Sequence, residues 1–90
     1  MESKEELVNV FVKIEDREEM GRLLEELLTP KEMSDLCMRW QLMKELHEGN
    51  TQRSIAAKHR MSLCKITRGS KILKKEDSAV RRILEEERYR

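Results

Sequence analysis

Apolar side chains recur along this chain with the period of a helix and nowhere with the period of a strand. Leu7, Val10, Phe11 and Ile14 fall at i, i+3, i+4 and i+7, which is one side of an α-helix. Ser3-Lys4-Glu5-Glu6 precedes them in the form of a capping box, where hydroxyl and carboxylate each satisfy an otherwise unpaired N–H. Asp16-Arg17-Glu18-Glu19 repeats that logic ahead of a stripe of Met20, Leu23, Leu24, Leu27 and Leu28. Thr29-Pro30-Lys31-Glu32 adds a proline at the first helical position, where its missing N–H costs nothing. Met33, Leu36, Cys37, Trp40, Met43 and His47 then line one face, with Trp40 expected in the core, and Gly49-Asn50 stops the helix. Beyond it Thr51 and Ser62 each open a helix, the second running to Lys74. Glu76-Asp77-Ser78 opens a last one carrying Val80, Ile83 and Leu84. The pattern predicts an all-α subunit of six helices with short connectors.

Composition agrees and adds a constraint. Apolar residues at 38% beside charged residues at 41% are the profile of a helical protein, not of a sheet or a disordered chain. Ninety residues make one domain. Phe11, Trp40 and Tyr89 are its only aromatics, so a lone subunit builds a thin core and gains from association. No segment reaches the roughly 18–20 apolar residues that a membrane span needs, and the acidic start is unlike a signal peptide. Cys37 and Cys64, far apart and outside any CxxC, are expected as buried or half-buried thiols of a reducing cytoplasm.

Charge changes the picture only when the chain is divided. Residues 1–48 carry 13 acidic and 7 basic side chains, and residues 49–90 carry 5 acidic and 12 basic. Within 49–75 there are eight basic residues (Arg53, Lys58, Arg60, Lys65, Arg68, Lys71, Lys74 and Lys75) and no acid. A solvated helix face usually mixes Glu with Lys. A run of one sign fits a polyanion, because each phosphate neutralised releases counterions. A membrane surface is the other anionic partner, but these helices lack the broad Trp/Phe/Leu face that inserts.

Gln52 to Gly69 fits two helices joined by a tight turn. Ile55 faces inward, Ala56 is small where helices cross, Met61 and Leu63 flank the turn, and Ile66 anchors the second helix. Cys64, Lys65, Thr67, Arg68 and Lys71 remain on other faces, as a major-groove reading helix requires. Gln52, Arg53 and Lys74 complete the candidate DNA-contacting set; an arginine suits a guanine edge or a phosphate. Arg60 occupies the turn position that favours a left-handed residue, at a cost of about 1–2 kcal/mol.

Leu27-Leu28-Thr29-Pro30-Lys31-Glu32, Arg39, Glu45-Leu46 to Gly49, Thr51-Gln52-Arg53 and Ile66-Thr67-Arg68-Gly69-Ser70 with Leu73-Lys74 resemble the tryptophan repressor family over residues 20–75. That family is a standing instance of helix-turn-helix docking, so the groove placement is inherited from it. The resemblance implies an intertwined homodimer in which 1–49 is a dimerisation scaffold, 51–74 the DNA-reading head and 77–90 a C-terminal dimerisation helix. It implies operator DNA as partner and L-tryptophan as corepressor, with no other cofactor. Arg39 and Arg68 match the arginines that sandwich the indole, as guanidinium planes can. Thr29 matches the residue that bonds the ligand carboxylate, Gly69 leaves room for the ring, and Glu26 and Leu28 offer backbone carbonyls to its amine across the dimer. Three departures mark this chain: Ile72 stands where a serine often meets the amine, the Gly49-Asn50-Thr51 linker is short, and Lys65 replaces a threonine.

No enzyme motif is present: there is no phosphate-cradling glycine loop, no paired carboxylates in an apolar setting and no nucleophile motif. His47 and His59 lack partners at metal spacing and are expected to be structural or exposed. A DNA-binding, ligand-responsive repressor of the cytoplasm is the leading expectation. The alternatives are a related regulator with a different effector or none, and a helical module whose basic segment docks an acidic protein.

Overall fold

The computed structural model describes residues 2–86, and its elements there are six α-helices: α1 (Glu2–Lys13), α2 (Arg17–Leu27), α3 (Pro30–His47), α4 (Gln52–His59), α5 (Leu63–Lys74) and α6 (Ala79–Glu85). Residues 87–90, the end of the expected 77–90 helix, lie outside the described residues, as does Met1. The chain forms two compact units divided between Asp35 and Leu36. None of the described helices is long and apolar enough to cross a membrane.

In the first unit most of the starts expected from sequence are present. Asp16 caps α2, accepting from the Glu19 N–H at 3.1 Å. Thr29 and Glu32 close a full capping box: the Glu32 N–H donates to the threonine hydroxyl at 3.1 Å and the Thr29 N–H to the Glu32 carboxylate at 2.9 Å. Ser3 is a correction. Helix α1 already begins at Glu2, so Ser3 lies inside the first turn, where Glu2 and Glu5 suit the positive helix end. Neither α1 nor α2 buries a residue, and Leu7, Val8, Val10, Val12 and Leu27 stay exposed.

In the second unit Leu42 of α3, Ile55 of α4 and Ile66 of α5 form the buried core, with Met43, Leu46, Ala56 and Met61 packed on it. This corrects the reading of α3. The expected stripe places Trp40 inward, yet Trp40 is 40% exposed and Leu36 44%. At about 100° per residue Trp40 stands roughly 200° around the helix from Leu42, so α3 has two apolar faces; the Leu42 face meets α4 and α5, joined there by Met43 of the expected stripe.

Backbone chemistry explains the corners. Gly49 takes φ +100°, and the Gly49 and Asn50 N–H groups donate to the Leu46 and Glu45 carbonyls at 3.1 Å each, the double bond of a Schellman stop. Arg60 ends α4 at φ 54°, ψ 46°, with its N–H and that of Met61 both on the Ala56 carbonyl. Thr51 caps α4 through the Ser54 N–H at 3.1 Å, and Ser78 caps α6 through the Arg81 N–H at 3.2 Å. Ser62 holds the cap position of α5 but its side chain makes no capping bond. Arg81 then fastens the α5–α6 corner, donating to the carbonyls of Leu73 at 2.8 Å and Glu76 at 2.7 Å.

Candidate nucleic-acid interface

Burying Ile55 and Ile66 fixes which sides of α4 and α5 face outward. Arg53, Cys64, Lys65, Arg68, Lys71 and Lys74 are exposed, and Gln52 and Thr67 are half-buried. The last two meet: the Thr67 hydroxyl donates to Oε1 of Gln52 at 3.1 Å, tying the first turn of α4 to the middle of α5. With its oxygen engaged, Gln52 keeps an amide N–H2 group, which donates and suits a phosphate. The first residue of α5, Leu63, is 47% exposed beside Cys64 and Lys65.

Both cysteines are free and exposed, contrary to the expectation of buried thiols, because Cys37 sits on the outer side of α3 and Cys64 on the outer side of α5. His47 is exposed.

The acid-free run is not without counter-charge. Glu45 reaches in from α3, 3% exposed, and its carboxylate lies 3.4 Å from the Lys58 ammonium and 2.6 Å from Nε2 of His59. Gln41 donates to it at 2.9 Å. The Gln41 and His59 hydrogen bonds hold the Glu45 carboxyl down at about 2, against a desolvation that pushes the other way. Sequence spacing did not reveal this cluster, since its members are separated by 14 residues and a turn; the signal available was an acidic residue beside the core-facing leucines of α3.

Of the expected ligand residues, Arg39, Arg68, Gly69 and Ile72 share the second unit. Gly69 is buried, and a Cβ there would meet Cδ1 of Leu42 at 2.6 Å, with Leu46 and Met43 behind it at 3.5 and 3.6 Å. The glycine thus permits α5 to cross α3 closely. Arg39, one turn before Leu42, and Arg68, next to Gly69, are exposed residues flanking that crossing, and Ile72 is half-buried one turn further along α5. Glu26, Leu28 and Thr29 belong to the first unit; Glu26 lies in the last turn of α2, and Thr29 caps α3.

The family model described as Trp repressor protein matches residues 2–88. The Trp operon repressor homolog of Xylella fastidiosa (strain M23) is 39% identical over 67 residues, 73% of this chain and 73% of its own length. That of Chlamydia trachomatis serovar L2 (strain ATCC VR-902B / DSM 19102 / 434/Bu) is 40% identical over 57 residues, covering 62% and 61% respectively. No solved structure matches the chain.

Proposed function

The chain belongs to the Trp repressor protein family, and from that premise we propose that it is a homodimeric, DNA-binding transcriptional repressor whose operator affinity is raised by L-tryptophan. The observation that carries the reading is the outward row of Arg53, Lys65, Arg68, Lys71 and Lys74 on two helices whose inward side chains are the buried core. Such a head docks α5 in a major groove with its N-terminal residues at the base edges. Lysines and Arg68 neutralise phosphates, and Arg53 takes a guanine edge or a phosphate.

The ligand half of the proposal rests on Arg39 and Arg68, which offer guanidinium faces to an indole and charge to a carboxylate. Thr29 can serve both of its assigned purposes: a hydroxyl that accepts the Glu32 N–H keeps its own proton to donate. Carbonyls in a last helical turn, where Glu26 lies, have no intrahelical partner and can accept an ammonium. Ligand-stabilised heads bind two successive grooves, and by linkage operator DNA tightens the ligand in return. The exposed apolar faces of α1, α2 and α3 supply the surface that a second copy covers.

DNA binding measured by gel shift against salt tests the first half. A reader of phosphates gives a log–log slope near −0.9 for each phosphate neutralised, whereas an adaptor for an acidic protein shows neither that slope nor a sequence preference. Thermal unfolding with added L-tryptophan tests the second half, since a ligand of the folded state raises the midpoint as its concentration grows. Ile72, and Leu42 against Gly69, favour one further reading, the same head with a different effector. Unchanged midpoints with L-tryptophan, alongside intact DNA binding, select it.

A further inference from the structure

We propose that Glu45 is a positioning residue for operator reading: through His59 and Lys58 it sets the roll of α4 on α3, and with it the direction in which Arg53 is presented. The inference rests on the DNA-reading assignment of α4 and α5 and adds a residue to it.

Three segments converge on this one side chain and its backbone. Gln41 holds the carboxylate from within α3, the Asn50 N–H donates to the Glu45 carbonyl at the Gly49 stop, and Lys58 and His59 bind the carboxylate from the far end of α4. The near end of α4 is fixed separately, by Gln52 on Thr67. Between those ends the only fully buried side chain of α4 is Ile55. Apolar contact is non-directional: burial of Ile55 sets which side of α4 faces the core and leaves room for a limited roll of the helix about its own axis. A hydrogen bond is directional. A helix of about 5–6 Å radius carries its surface about 2 Å for every 20° of roll, enough to take a base-edge contact out of range.

Stability alone is a poor account of the cluster. Burying the Glu45 carboxylate carries a desolvation cost that its partners must first offset, and the best-attested use of such buried polar groups is to specify one arrangement among several. A core of three fully buried side chains, with four half-buried ones packed on it, leaves such alternatives open.

The test uses the full chain and a duplex enriched by the wild type from a random-sequence library, with a scrambled duplex of equal length as comparison. Glu45→Gln and His59→Gln should each lower the ratio of the two affinities about tenfold, the loss of one misread base pair. The double variant should be no worse than the more severe single one, as for two halves of one contact. Ser78→Ala, which weakens α6 only, should lower the thermal midpoint and leave the ratio as it was. If Glu45→Gln fails to fold, His59→Gln and Lys58→Met carry the comparison. A midpoint that falls in Glu45→Gln and His59→Gln with the ratio unmoved overturns the proposal and leaves DNA reading intact. A wild type that enriches no sequence overturns the DNA-reading assignment itself.

Discussion

Arg60 shows how much one residue can disclose. Its position in the turn between α4 and α5 demands a left-handed backbone, and it adopts φ 54° without the glycine that would make this free. Arg60→Gly removes strain of about 1–2 kcal/mol and adds unfolded-state entropy of about half that. The net gain is about 0.5–1 kcal/mol, seen as a Tm higher by a few degrees. Glu45 makes the opposite case, a residue whose importance is invisible from spacing. Its carboxyl is held at about 2, below the ordinary 4.5. A lowered carboxyl stabilises the fold fully above 4.5, and that contribution is lost as pH falls from 4.5 through about 2. Acid unfolding followed by circular dichroism should therefore show a steeper loss over that window in the wild type than in Glu45→Gln.

At the scale of the element, helix starts were the most legible feature, because a cap needs only two or three adjacent residues. Asp16, Thr29, Thr51 and Ser78 all accept the N–H that their positions foretold. Ser62 stands in the right place without its bond, and Ser3 falls inside α1. Thr29 permits a test that separates capping from ligand binding. Thr29→Asp keeps an acceptor for the Glu32 N–H and places a negative charge where a carboxylate ligand would dock. It should match the wild-type Tm to within about 0.5 kcal/mol of stability and lose the thermal response to L-tryptophan. An unchanged response would remove Thr29 from the ligand site. Helix faces were less legible than starts. The stripe Leu36–Cys37–Trp40 has perfect helical period, yet α3 turns Leu42 and Glu45 inward instead. Periodicity finds an apolar face and says nothing of whether the same chain or another one covers it.

The whole molecule makes sense of those uncovered faces and of the charge. A near-balanced sequence, net +1, divides into an acidic half and a basic half, and the basic half is the one that carries the candidate interface on α4 and α5. The buried core of Leu42, Ile55 and Ile66 is small, while Leu7, Val10, Leu36 and Trp40 remain exposed. If a second copy covers them, Trp40→Glu should shift sedimentation from dimer toward monomer and lower Tm at fixed concentration. A wild-type monomer in sedimentation would contradict the dimer. The reading head was legible because its residues are close in sequence; the Glu45 cluster and the packing of Gly69 on Leu42 were not, because both join α3 to later helices. The most direct measurement is the affinity of the library-enriched duplex with and without L-tryptophan, followed between about 50 and 200 mM salt. The account predicts a steep salt dependence, tighter binding with the amino acid at every salt, and loss of sequence preference in Arg53→Ala. Binding equal for enriched and scrambled duplexes, unmoved by L-tryptophan, would contradict it.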